Sequence, residues 1–267
     1  MPYFENDGAR LYYSDSHNSR GSNPNTKAPA LLFIHGWCSN SSHWREQKKH
    51  FARKYRIITL DRRGLGKSTT PGTGHTPKQH ALDIAALLRH LKIKRVIAIG
   101  HAGGGPVTLE LTRSFPKIVK ATVMVDSGMY PKADLKKRNT PFAQLLGGMH
   151  DAISAPGGKQ AFKKMYQGFF GPKCPKEVSR KAVADATKTP IATILAEIDV
   201  MASSPEAMAK QIKQPVLWLT AATVDQAYIG KQLKNVQFAQ VVGSGHFPQL
   251  EVPAQTNAAI ETFVSQL

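Results

Sequence analysis

The chain is short of cysteine, of acidic residues and of long apolar runs, and each shortage excludes something. Only Cys38 and Cys174 are present. They have neither metal-ligand spacing nor the pattern of a disulfide framework, which points to a reducing compartment. No apolar run approaches the roughly 18 residues a membrane helix needs. The first thirty residues are mostly polar and hold no signal-peptide core, so a cytoplasmic location is expected. Asp and Glu total 18 against 36 Lys and Arg, a formal net charge of +18. A charge of that size attracts anions and nucleic acid in general. The basic runs, however, are scattered, as at Lys48-Lys49, Lys132 to Arg138 and Lys163-Lys164. None has the aromatic interleaving of a base-stacking surface. A solvated basic surface is the expectation, with no nucleic-acid and no membrane partner. No feature sets the oligomeric state.

Apolar residues make up 41% of the 267 positions. That is enough for one large core plus an inserted lobe. Short apolar runs alternate with helical patterns, the signature of a mostly parallel sheet flanked by helices. Strands are expected around Leu11-Tyr12-Tyr13 and at residues 30–34, 56–60, 95–99, 121–126, 216–220 and 236–242. Polar residues 15–29 read as a loop. Helices are expected near 41–53, 77–91, 103–115 and 253–265. The helix at 77–91 shows its period in Ala81, Ile84, Leu87, Leu88 and Leu91. About ninety residues separate the strands ending at Asp126 and beginning at Val216, more than one crossover requires. They read as helices at roughly 141–153, 158–168, 175–188 and 190–211. The expected organisation is therefore a core of residues 1–130 and 212–267, with a helical cap at 131–211 over the carboxyl ends of the strands.

Four segments stand out as motifs. Gly100-His101-Ala102-Gly103-Gly104-Gly105 lies between a strand and a helix. This is the setting of a G-x-S-x-G elbow, with alanine where the serine belongs. His35-Gly36-Trp37 follows a buried strand and can offer a backbone N–H to an oxyanion hole, alongside that of Gly103. Trp37 can equally be a core aromatic. Asp61-Arg62-Arg63-Gly64-Leu65-Gly66-Lys67-Ser68 is a near miss for a phosphate-binding loop, because Asp61 stands where its first glycine would be. It reads as a tight structural loop. Gly243-Ser244-Gly245-His246-Phe247-Pro248 puts a histidine on a glycine-flanked loop after the last strand.

With these segments in this order, the chain resembles the α/β-hydrolase family. The resemblance covers residues 30 to 267 apart from the cap. It implies a nucleophile slot at Ala102, a base at His246, an oxyanion hole from Trp37 and Gly103, and no metal or cofactor. The family places its acid after either of two strands, so Asp126 and Asp225 both stand. Asp126 is preferred, because the usual glycine before the later site is absent. The acid would fix the imidazole tautomer and stabilise the imidazolium.

Ala102 has two readings: a Ser→Ala change in an otherwise complete site, or a relative that binds without catalysis. The persistence of every other element favours the first. Met129, Tyr130, Phe142, Phe162, Met165 and Met201 suit an apolar, adaptable pocket, although part of such a stripe is ordinary cap core. The expected activity is hydrolysis of an ester or lactone in an apolar small molecule. The layout is similar to that of fungal lactonases that open macrocyclic polyketide lactones such as zearalenone. A second reading is the cofactor-free dioxygenases of this fold, in which the histidine deprotonates a heteroaromatic substrate. A third is a non-catalytic binder.

Overall fold

The computed structural model describes residues 2–18 and 28–267. Residues 19–27, most of the expected polar loop, lie outside the described residues. Eight strands form one sheet: β1 Tyr3–Asn6, β2 Ala9–Asp15, β3 Ala30–Ile34, β4 Ile57–Leu60, β5 Val96–His101, β6 Val119–Val125, β7 Val216–Thr220 and β8 Val236–Gln240. Their order is β1-β2-β4-β3-β5-β6-β7-β8. The pairs β1–β2 and β2–β4 are antiparallel, and all the others are parallel. Every residue of β3, β4, β5 and β7 is buried, as expected for strands covered on both faces.

The helices are α1 Arg45–Phe51, α2 Pro77–His90, α3 Gly104–Ser114, α4 Pro141–Ser154, α5 Gly158–Gln167 and α6 Lys176–Ala186. They continue with α7 Ile191–Ala202, α8 Pro205–Ala209, α9 Gln226–Gln232, α10 Pro248–Glu251 and α11 Pro253–Ser265. Helix α2 starts where Thr76 caps the Gln79 N–H and Pro77 occupies the first turn. Its apolar stripe, with Ile84, Leu87 and Leu88, is fully buried. Among the described residues no helix is long and apolar enough to cross a membrane.

Four elements differ from the sequence expectation. Strand β1 and helices α9 and α10 are additional. The single helix expected at 190–211 is two, α7 and α8, broken at Ser203-Ser204. Pro205 has no N–H to continue the ladder, and the Ser204 side chain accepts from Ala207 N–H to begin a new helix.

Helices α4 to α8 lie between β6 and β7 in the chain. They are fastened to the rest by buried polar bonds. Trp37 Nε1 donates to the Ile194 carbonyl at 3.0 Å. Ser39 Oγ and Tyr166 Oη are 2.8 Å apart. Arg62 donates to Glu197 at 2.6 Å, both side chains being 1% exposed. Burial works against the Glu197 charge, but Arg62 first and His80 next outweigh it and hold the carboxyl well below its usual value.

Candidate active site

The elbow is built by close packing. Ala102 follows β5 with φ 47°, a left-handed backbone that costs an ordinary residue roughly 1–2 kcal/mol. Three bonds hold it: Ala102 N–H to Val125 O at 3.0 Å, Gly105 N–H to Ala102 O at 2.8 Å, and Ser127 Oγ to Ala102 O at 3.1 Å. The flanking glycines are required by contact. A Cβ at Gly100 would lie 2.0 Å from Thr108 Oγ1, and one at Gly104 would lie 2.6 Å from the His35 carbonyl. Strained dihedrals at a strand-to-helix turn are thus present at a residue with no nucleophilic atom.

The structure brings His246 and Asp126 together. His246 Nδ1 is 2.6 Å from Asp126 Oδ2. The other carboxylate oxygen accepts from Ala221 N–H at 2.8 Å and Thr220 Oγ1 at 3.3 Å. Burial opposes ionisation of Asp126, but the His246 hydrogen bond and charge, with the Ala221 N–H, keep its pKa below the usual value. A carboxylate there accepts a hydrogen bond from Nδ1–H, which fixes the tautomer whose lone pair lies on Nε2. Asp225, the alternative acid, is exposed and caps α9 by accepting from Tyr228 N–H at 2.8 Å. The two aspartates do opposite jobs, and only Asp126 touches the histidine.

The His246 loop is held from below and behind. His101 Nε2 donates to the His246 carbonyl at 2.7 Å. Burial, then the neighbouring His246, lowers the His101 pKa to about 3, so this ring is neutral at ordinary pH. Glu251 accepts from Gly171, Gly245 and Phe247 N–H groups at 2.8, 3.1 and 3.1 Å. It ties the histidine loop to the segment after α5. Neither role was foreseen from sequence. His101 carries no signal beyond its place beside the elbow, and Glu251 only its position four residues after Phe247.

Trp37 and Gly103 meet as well. A Cβ on Gly103 would lie 3.3 Å from the Trp37 backbone nitrogen, so the two peptide groups are neighbours beside Ala102. The Trp37 side chain is buried edge-on against Phe162, with ring centroids 5.1 Å apart. It serves as a core aromatic while its backbone faces the elbow.

Ala102, Gly103, Asp126 and His246 all line one cavity of about 670 Å³, and among the described residues no Lys or Arg lines it. Its walls come mainly from Leu146, Met149, Met165, Phe169 and Met201, with Tyr130 and Phe142 stacked at 3.9 Å between centroids. Met129 and Phe162, grouped with these in the sequence, pack elsewhere. Met129 lies in the cluster around Trp218, and Phe162 among the inserted helices.

His75, His80 and Glu197 form a second cluster, whose ligand-type atoms lie within 4.8 Å of one another. The Arg62 guanidinium sits among them, 3.1 Å from His80 Nε2 and paired with Glu197. A fixed positive charge at that distance repels a metal ion, so the cluster acts as an ion-pair lock.

A parallel sheet with this strand-elbow-helix, a His–Asp pair behind it and paired amides beside it defines a class of enzyme scaffold. The chain belongs to the α/β hydrolase fold family, which it matches over residues 29–253. It is 36% identical over 123 residues to a non-heme chloroperoxidase of Streptomyces lividans, covering 45% of this chain and 42% of that protein. It is 32% identical over 127 residues to a bifunctional esterase/perhydrolase of Acinetobacter calcoaceticus, covering 47% and 43%. The matched stretches thus span less than half of those relatives' lengths. The enol-lactonase from Burkholderia xenovorans LB400 superposes with a TM-score of 0.83 at 16% identity, over 99% of this chain and 100% of that one. That likeness is one of fold.

Proposed function

We propose that the chain binds an apolar ester or lactone in the arrangement used for acyl transfer, with Ala102 in the place of the attacking residue. The observation that supports this most is the intact His246–Asp126 pair lining the same cavity as a left-handed residue 102, with no Lys or Arg in its wall among the described residues. In such a site the histidine would take a proton from the attacking oxygen, and the Trp37 and Gly103 amides would receive the developing oxyanion. The inserted helices act as the cap that supplies the apolar wall. The chain as it stands would hold substrate and turn it over very slowly, because binding and oxyanion stabilisation survive loss of the nucleophile. Hydrolysis of a panel of apolar esters and lactones by the Ala102→Ser protein tests the reading. Activity in the serine form and near-absence in the parent supports it. A folded Ala102→Ser protein inert on the whole panel overturns it.

The same pair favours a second reading. A free Nε2 beside a residue with no nucleophile can remove a proton from the substrate itself, as in cofactor-free dioxygenases of this fold. Oxygen uptake on a heteroaromatic substrate, undiminished in the Ala102 chain, distinguishes it.

A further inference from the structure

A second cavity, of about 630 Å³, opens between the sheet side of the molecule and the segment around α6. Its chemistry is the reverse of the first. Five cationic side chains reach its wall: Arg45 and Lys48 from α1, Lys67 from the loop after β4, Lys181 from α6, and Lys188 just beyond it. Among the described residues two carboxylates line it, and both are already committed. Asp185 takes Lys181 at 3.1 Å and Lys188 at 2.8 Å. Asp61 accepts from the Ser41 and Lys67 backbone N–H groups at 2.6 and 2.8 Å. Among the described residues Lys48 meets the Ser14 hydroxyl, Lys67 lies 4.6 Å above the Tyr12 ring, and Arg45 pairs with Glu46 at 3.3 Å. Ser42 and Thr70 add further polar wall.

The geometry points to this cavity as a binding site for a linear polyphosphate group, held between α1 and the loop after β4 on one side and the α6 segment on the other. Three arguments lead there. First, the wall carries a surplus of positive charge, in a molecule whose overall charge concentrates anions around it. Second, the cations stand on both the core and the inserted segment. An anion with charge spread along its length engages both, whereas a single small anion fills only a fraction of the volume, which lies within the usual range of ligand pockets. Third, the Asp61 carboxylate already accepts from the Lys67 N–H, one of the loop amides that a P-loop would offer to phosphate, and from the Ser41 N–H beside it. The ligand would therefore be held by Lys, Arg and hydroxyl side chains, which suit phosphate oxygens. This site is separate from the one over Ala102, and its existence does not depend on the hydrolase reading.

Calorimetry of the full chain with inorganic triphosphate, in about 0.15 M salt to screen the general surface field, tests the site. Saturable one-to-one binding is expected. The double variant Lys48→Glu/Lys188→Glu should weaken it by about tenfold or more. The double variant Lys120→Glu/Lys234→Glu makes the same charge change at exposed positions outside both cavities, and should leave binding within about twofold. Adenosine triphosphate distinguishes the source of the group: tighter binding than triphosphate means a nucleotide, and equal binding means the polyphosphate chain alone. Absence of saturable binding overturns the proposal. Equal weakening in both double variants, or citrate binding as tightly as triphosphate, overturns it too.

Discussion

Replacing Glu197 by glutamine would leave the Arg62 guanidinium buried without its counter-charge. Both side chains are 1% exposed, and water cannot take over the lost partner. Arg62 also donates to the His35 and Gly36 carbonyls at 3.0 and 3.1 Å, so it cannot swing out without unmaking those bonds. Removing one member of such a pair costs about 3–5 kcal/mol, which in a chain of this size lowers Tm by about 6–20 °C. An exposed comparison is Glu206→Gln, which breaks a pair with Lys210 whose lysine is 57% exposed, and should shift Tm by at most a few degrees. The effect also has a pH signature. The folded Glu197 pKa lies well below the ordinary 4.5. The stabilisation is therefore fully present above the unfolded value and is lost as pH falls through the folded one. The Tm gap between parent and Glu197→Gln should be complete at pH 7 and begin to close only below about 4.5. Thermal unfolding followed by circular dichroism across that range reads both quantities. A Glu197→Gln protein melting within about 1 °C of the parent at pH 7 would refute the account of the lock.

Three further outcomes follow from the same geometry. In the Ala102→Ser background, Asp126→Asn should lower kcat by about 10⁴-fold, whereas Asp225→Asn should leave it within about threefold, as steady-state ester hydrolysis would show. Gly100→Ala should cost about 2 kcal/mol or more, because its Cβ would meet Thr108 Oγ1 at 2.0 Å and the Gly104 carbonyl at 2.9 Å; a chemical denaturation midpoint equal to the parent's would contradict this. Leu145 lines the apolar cavity yet is 59% exposed, so Leu145→Glu should weaken an apolar ester at least about fivefold in equilibrium binding while Tm stays within a few degrees.

The strand-helix alternation and the glycine-rich turns were legible because they depend on local pattern. Buried strands such as Ala30–Ile34 and Val216–Thr220 fall where their apolar runs predict. The break between α7 and α8 is marked in sequence by Ser204-Pro205 alone. Apolar residues continue at helical spacing across the break, from Ile198 and Met201 to Met208, and masked the stop. Asp225 carried its own signal, three residues ahead of the N–H it caps, but the choice between it and Asp126 needs a distance. The Glu197 lock was illegible for a related reason. An acid flanked by Ile194, Leu195 and Ile198 hints at a buried partner, but Arg62 and His80 lie 135 and 117 residues away in sequence. The basic cavity draws its lysines from α1, the loop after β4, α6 and the turn beyond α6, and in sequence they read only as scattered charge.

The most direct test of the proposed site is covalent. A serine-directed alkyl phosphonate with an apolar leaving group should modify Ala102→Ser stoichiometrically, with the mass increase confined to the peptide containing residue 102. The parent chain should remain unmodified, and so should Ala102→Ser/His246→Ala, which lacks the base. A folded Ala102→Ser protein that takes up no label, or takes it up equally without His246, would contradict the claim that this elbow, this histidine and this aspartate form one acyl-transfer site.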